Sequence, residues 1–260
     1  MNPAYDTLRI ALTHEEGKSG ALLPFEQIRL VAKAAVGCGV RRFELCGGEP
    51  LLREDIPVLV MMLSSLTVLE DMTLVTDGIL LPRWAKALRG AGISRVIVTL
   101  DTFDPAAYRA LTGGDITAVL TGIRSLAEVG FPPATIQARL IRGISGSSLP
   151  SLLRLAKMTG ISLRLMEMTQ AEADALAPDA RMTCADALAL ILKLSAQEGN
   201  PFLYRLPGAA GQVELIPCCQ REEGRIVLSA GGMLRAGSFS ADVRHLNEQA
   251  LMQIMQESIR

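Results

Sequence analysis

The densest run of chemistry-bearing residues is Cys46-Gly47-Gly48-Glu49-Pro50-Leu51-Leu52-Arg53, directly after the short apolar stretch Arg42-Cys46. Two adjacent glycines let a backbone approach a ligand closely, because no Cβ stands in the way. Glu49 can pair with an ammonium group, and Pro50 stiffens the turn. A plain strand-to-helix turn also uses Gly-Gly, but the whole octet favours a ligand role. Two further clusters follow apolar stretches in the same manner: Thr76-Asp77-Gly78, and the run from Thr99 through Asp101, Thr102 and Asp104 to Pro105. Each supplies hydroxyls and carboxylates. Asp77-Gly78 reads equally well as a simple turn, and Asp104 reads as the cap of a helix beginning at Pro105. His14, Glu15 and Glu16 carry donors suited to a divalent ion, although a solvated loop is the preferred reading. Cys46, at a strand end, reads as a buried and inert thiol.

The elements that position these residues follow from periodicity. Short apolar strands alternate with longer amphipathic helices up to about residue 168, the signature of repeated βα units and a parallel sheet. The expected strands are Leu8-Leu12, Arg42-Cys46, Met72-Thr76, Arg95-Leu100, Thr135-Leu140 and Ser162-Met168. The expected helices are Pro24-Gly37, Asp55-Ser65, Pro82-Ala91, Ile116-Val129 and Leu149-Thr159. Pro24 and Pro82 stand where a first-turn proline is tolerated, and Gly39, Gly92, Gly130 and Gly160 stand where a left-handed residue ends a helix. In an α/β barrel the loops after the strands build the active face, so the glycine turn and both hydroxyl clusters fall on one rim. Six βα units suit an open, partial barrel over residues 1–170. A C-terminal extension, 171–260, would carry a helix near Cys184-Gln197, a Gly/Pro-rich stretch Asn200-Gln212, a hairpin Arg225-Leu234 and a last helix Ala241-Ser258.

Composition narrows the function classes. The chain has 260 residues, 49% of them hydrophobic, enough for one sizeable core. Its formal net charge of -1 gives no global attraction to nucleic acid or acidic lipid. No apolar run approaches the roughly 20 residues that cross a bilayer, and the N-terminus lacks a signal-peptide core, so a cytoplasmic protein is expected. The five cysteines, Cys38, Cys46, Cys184, Cys218 and Cys219, are odd in number and irregular in spacing, which excludes a disulfide framework.

The strings Leu8-Arg9-Ile10-Ala11-Leu12-Thr13, Gly47 to Arg53, Thr76-Asp77-Gly78, Thr99 to Pro105, Thr112-Gly113, Leu163 to Met168 and Leu228 to Arg235 occur in an order and spacing similar to one family. In them the chain resembles the GTP 3',8-cyclases of molybdenum cofactor biosynthesis, members of the radical S-adenosylmethionine superfamily. The resemblance implies a partial (βα)6 TIM-like barrel with a small C-terminal appendage. It assigns Gly47, Gly48, Glu49 and Pro50 to the methionine amino and carboxylate groups of S-adenosylmethionine, and Thr76, Asp77 and Thr99 to the same cofactor pocket. It places Arg142, Arg164 and Arg225 where the family holds a GTP triphosphate.

The family's 4Fe-4S cluster is held by C-x3-C-x2-C in the loop after the first strand. Here that loop reads His14-Glu15-Glu16-Gly17-Lys18-Ser19-Gly20, without cysteine. A second cluster would need thiols near Gln220, Glu223 and Gly237; Cys218 and Cys219 read as a displaced remnant. An arginine of the family's substrate site is Val227, and its glycine-terminated tail has no counterpart before Arg260. No 4Fe-4S cluster and no radical GTP cyclisation are therefore expected. Three functions stay open: a cluster-less protein that keeps a pocket for S-adenosylmethionine or another nucleotide-like ligand, for binding or polar chemistry such as methyl transfer; a pseudoenzyme scaffold, as a homo-oligomer or as partner of an active homologue; or a GTP cyclase-like protein with an externally supplied cluster.

Overall fold

The computed structural model describes residues 5–15, 19–66, 69–177, 179–192, 203–205, 211–220 and 224–258. Glu16, Glu223, the expected helical residues beyond 192 and most of the Gly/Pro-rich stretch lie outside them. In chain order the elements are β1 (Thr7–Ala11), α1 (Phe25–Gly37), β2 (Arg42–Cys46), α2 (Ile56–Ser64), β3 (Asp71–Thr76), α3 (Leu81–Ala91), β4 (Arg95–Thr99), α4 (Pro105–Thr112), α5 (Ile116–Glu128), β5 (Thr135–Leu140), α6 (Ser145–Thr159), β6 (Ser162–Glu167), α7 (Gln170–Leu176), α8 (Cys184–Leu192), β7 (Leu203–Arg205), β8 (Gln212–Ile216), β9 (Arg225–Leu228), β10 (Met233–Ala236), β11 (Phe239–Asp242) and α9 (Glu248–Ser258). The alternation of strand and helix expected for an α/β chain is present from β1 to β6.

Two compact units divide the chain: residues 1–76, 80–96 and 222–260 form one, and residues 77–79 and 97–221 the other. In the first, β1 pairs in parallel with β2 on one side and with β9 on the other, and β2 pairs in parallel with β3. β10 and β11 extend this sheet antiparallel beyond β9. Leu8, Ile10, Leu45 and Leu74 are fully buried, as expected for strands covered on both faces. α9 lies against α1, with Lys33 on Glu248 at 2.7 Å and the Gln27 amide donating to Val243 O at 2.6 Å and Leu246 O at 2.9 Å. In the second unit β4, β5, β6 and β8 run parallel in that order, and β7 pairs antiparallel with β8.

Several boundaries differ from the sequence expectation. α6 starts at Ser145 rather than Leu149 and carries Pro150 inside it, where the missing N–H forfeits a bond to the carbonyl of Gly146. α9 starts at Glu248 rather than Ala241, because Phe239–Asp242 pairs with β10 as a further strand. α7 was not expected, yet Thr169 and Glu172 form a reciprocal capping box at its start, a signal present in the sequence. The cap expected at Asp104 is there: its carboxylate accepts from Ala107 N at 2.8 Å. Gly39, Gly92, Gly130 and Gly160 all have positive φ after their helices. Among the described residues no helix is long and apolar enough to cross a membrane.

Candidate functional site

The glycine turn lies at the carboxyl end of β2, and the chain leaving β1 closes onto it. Leu12 N donates to Cys46 O at 2.7 Å, which carries Thr13 and His14 across the turn. A Cβ on Gly47 would stand 2.6 Å from Thr13 O and 2.7 Å from Thr13 Oγ1, and one on Gly48 would stand 2.3 Å from His14 O. Gly47 also has φ of 132°, a conformation that side chains rarely adopt. The close approach that both glycines permit is thus made, at least in part, by the chain's own backbone.

Glu49 is buried, and its carboxylate has partners within the fold. Oε1 accepts from Leu51 N at 2.8 Å, and the Thr76 hydroxyl donates to both carboxylate oxygens at 2.9 Å. Glu49 therefore ties the turn to the end of β3, and Pro50 opens a single 3-10 turn beside it. The ammonium partner expected for Glu49 would have to share these oxygens.

Arg53, the last residue of the octet, has a role that the sequence did not disclose. Its guanidinium donates to Leu12 O at 3.3 Å and to Leu23 O at 2.5 Å, and stacks over the Phe25 ring at 4.3 Å. It thereby brackets both stems of the loop between β1 and α1. Leu23 N donates in turn to Ala230 O at 2.8 Å, linking the loop to the β9–β10 turn.

The loop is solvated as expected at Glu15 and from Ser19 to Leu22, which are exposed, whereas His14 within it is half-buried. The loop folds back, so that the imidazole lies beside Gly20 and Gly231, each close enough for a Cβ to meet the ring at 3.4 to 3.7 Å. His14 Nε2 and Thr13 Oγ1 are buried without a hydrogen-bond partner. Glu15 is exposed, and Glu16 lies outside the described residues. Among the described residues no three His, Cys, Asp or Glu side chains gather as a metal site.

The other expected site residues are placed as follows. Asp77 makes a local turn, its Oδ1 accepting from Ile79 N at 2.8 Å, and Thr99 is exposed at the end of β4. Arg225 opens β9 opposite Thr7 and contributes to the field at Cys46. Arg142 is exposed, with Asp186 at 3.6 Å, and Arg164 donates to Glu214 at 2.9 Å. In the first unit, Arg9 Nε approaches Cys46 Sγ at 3.2 Å and Glu44 at 3.3 Å. Burial pushes the Cys46 thiol up, against the opposing pull of Arg9.

A second polar cluster, unforeseen from the sequence, closes the end of β6. Arg181 donates to Glu167 at 2.5 Å and to Cys218 Sγ at 3.6 Å, and Cys184 N donates to the other Glu167 oxygen at 3.4 Å. Burial, and then the Glu167 carboxylate, push the Cys184 thiol up to about 12. A raised thiol pKa lowers the thiolate fraction, and the thiolate is the nucleophile. Iodoacetamide at about pH 8 is therefore expected to label exposed Cys219 first and Cys46 and Cys184 last, as read by peptide mass spectrometry. Early labelling of Cys184 would contradict its buried place beside Glu167.

Comparison with known proteins bears on both units. GTP 3',8-cyclase of Acidothermus cellulolyticus is 43% identical over 148 residues, 56% of this chain and 41% of that protein. The enzyme of the same name from Alkaliphilus oremlandii is 32% identical over 201 residues, 75% of this chain and 63% of that one. The chain thus spans less than two thirds of the length of these relatives. Streptococcus suis SuiB bound to precursor peptide SuiA superposes with a TM-score of 0.72 at 12% identity, covering 95% of this chain and 64% of that one. SuiB bound to S-adenosylmethionine gives 0.67 at 13% identity, over 95% and 63%. At such identity these likenesses establish the fold, the partial TIM-like α/β architecture expected from the βα repeat. The Radical SAM superfamily profile matches residues 5–156, from β1 and the glycine turn through to α6, and on that match over more than half of its length the chain belongs to the Radical SAM superfamily.

Proposed function

We propose that this protein binds S-adenosylmethionine or a related nucleotide at the glycine turn and uses it without a 4Fe-4S cluster, for regulation or for a polar reaction such as methyl transfer. One observation carries the reading: the Thr13 hydroxyl, buried without a hydrogen-bond partner, adjoins Gly47, and His14 Nε2, likewise buried and unpartnered, lies beside Gly20 in the loop that crosses the turn. Leaving such a group unsatisfied costs about 1–3 kcal/mol, which a polar ligand would offset. The superfamily membership and a structural neighbour bound to S-adenosylmethionine favour that ligand class.

Cluster irons are held by cysteine thiolates. Residues 12–24, between β1 and α1, contain none, so the donors present do not fit a 4Fe-4S cluster there. No radical step is derived for this chain. Bound S-adenosylmethionine would supply an electrophilic methyl carbon on sulfur. This chain's contribution would be to orient the amino-acid end against the turn that Glu49 and Thr76 hold rigid. Asp77 and Thr99, and a triphosphate role for Arg142, Arg164 and Arg225, belong to the same proposal, as does a cytoplasmic location.

A second reading, a scaffold that pairs with an active homologue or with itself, is favoured by the packing of Thr13 O and His14 O into the glycine turn. Calorimetric titration of the purified protein with S-adenosylmethionine, S-adenosylhomocysteine and GTP separates the two. Dissociation constants on the order of micromolar for the sulfur-containing ligands are expected, about -8 kcal/mol. Absence of binding by all three would transfer the assignment to the scaffold. The names of the relatives suggest GTP cyclisation; for this chain that reading would require a cluster supplied from outside, and a stable brown protein after anaerobic incubation with iron and sulfide would favour it.

A further inference from the structure

We infer that the second unit carries a ligand site of its own, centred on Gln137, which recognises an uncharged planar edge with a donor beside an acceptor, as adenine and primary carboxamides have. The site does not depend on binding at the glycine turn. Its frame is the register of the parallel strands. Thr99 on β4 pairs with Gln137 on β5, Gln137 with Arg164 on β6, and Arg164 with Glu214 on β8, so the four side chains stand in one row on one face of the sheet. The residues one position earlier, Val98, Ile136, Leu163 and Val213, are buried and mark the opposite, apolar face. Solvent reaches the polar row: Thr99 is exposed, Gln137 is half-buried, and the side chains of Arg164 and Glu214 are 18% and 43% exposed. Sheets of parallel strands are almost always covered on both faces, so an open polar face leaves space that a ligand can fill.

Charge and hydrogen bonding on this face set the ligand's chemistry. Arg164 donates to Glu214 at 2.9 Å. Two residues after Gln137, Arg139 donates to Asp101 at 3.0 Å from Nε and at 2.6 Å from a terminal nitrogen. Two cations are thus balanced by two carboxylates, which leaves the face no net pull on an ion. The Gln137 amide, beside both pairs, has no hydrogen-bond partner among the described residues. An amide offers N–H donors and a carbonyl acceptor in one plane. Its best complement is an edge with the same pair reversed, the arrangement by which glutamine reads the N6 and N7 atoms of adenine. Four strands about 4.8 Å apart make the row roughly 14 Å long, enough for a nucleoside to lie along it.

Adenosine, inosine and nicotinamide are the probes, each titrated calorimetrically into the wild type and into Gln137→Met, which keeps the length of the side chain and removes the amide. Adenosine is expected to bind with a dissociation constant of about 1 mM or tighter. Inosine, in which an oxygen acceptor replaces the N6 donor, should bind about tenfold more weakly, and Gln137→Met should weaken adenosine about tenfold. Nicotinamide bound as well as adenosine supports a site for any primary carboxamide, and adenosine alone supports a purine site; either upholds the role of Gln137. The side-chain amide resonances of Gln137, assigned in the wild type, should move with the ligand that binds, a readout that survives any folding defect of the variant. Binding that leaves those resonances and the affinity of Gln137→Met unchanged overturns the site, and so does binding of neither adenosine nor nicotinamide. Neither result bears on the glycine turn, which is tested with S-adenosylmethionine and S-adenosylhomocysteine.

Discussion

Gly47→Ala is expected to cost about 2–6 kcal/mol of unfolding free energy, since a left-handed backbone conformation and an overpacked contact add there. The φ of 132° is one contribution. The other is steric: the new methyl would meet Thr13 O, Oγ1 and N at 2.6 to 2.8 Å, and two of these are backbone atoms that cannot rotate away. Gly90→Ala is the control, because Gly90 lies inside α3 with nothing within 4 Å of a Cβ. There the exchange removes freedom from the unfolded chain and should stabilise by roughly 0.4–1 kcal/mol. Urea unfolding of the two variants beside the wild type measures both. Equal midpoints would mean that residues 12–14 can leave the glycine turn at no cost, and would remove the basis for a site built there.

The same contact shows what the sequence made legible and where it stopped. The βα repeat follows from the alternation of apolar strands with amphipathic helices, and strand ends at Cys46, Leu140 and Thr76 were readable to the residue because turn residues or a change of period follow them. β8 was missed although Val213 and Leu215 alternate with polar neighbours, since a short strand beside a glycine-rich stretch gives little signal until β6 is seen alongside it. β9 was readable as half of a hairpin, but its parallel pairing with β1 joins residues more than two hundred positions apart, and no local pattern encodes that.

The site divides in the same way. Residue types at the glycine turn were conspicuous, and their neighbours were not. Whether Gly-Gly makes room for a ligand or for the chain's own carbonyls depends on the path of the loop from Leu12 to Leu23. That path depends on an arginine reaching two carbonyls. Glu167, Arg181, Cys184 and Cys218 are scattered over fifty residues, and the sequence gives no spacing by which to group them; β6, α8 and the turn after β8 bring them together.

Arg53→Ala should release the loop without unfolding the sheet. Charge-assisted hydrogen bonds to two carbonyls and a stacked ring together contribute about 2–3 kcal/mol at a half-buried position. The opening should be local, because α2 buries Ile56, Leu59, Val60 and Leu63 independently of the guanidinium. Amide exchange at Leu12 and Leu23, bonded to Cys46 O and Ala230 O, is therefore expected to quicken about 30- to 160-fold, while the α2 amides keep their rates. Arg53→Lys should fall between, since an ammonium on a flexible stem cannot replace a planar fork that spans two acceptors. The consequence for binding follows from the same geometry. Thr13 and His14 are held over the glycine turn only while both stems are clamped, so a ligand that uses them should lose affinity in Arg53→Ala in proportion to the loop opening. A ligand that lies on Gly47 to Pro50 alone should bind the variant unchanged, and that difference tells whether the loop or the turn recognises it.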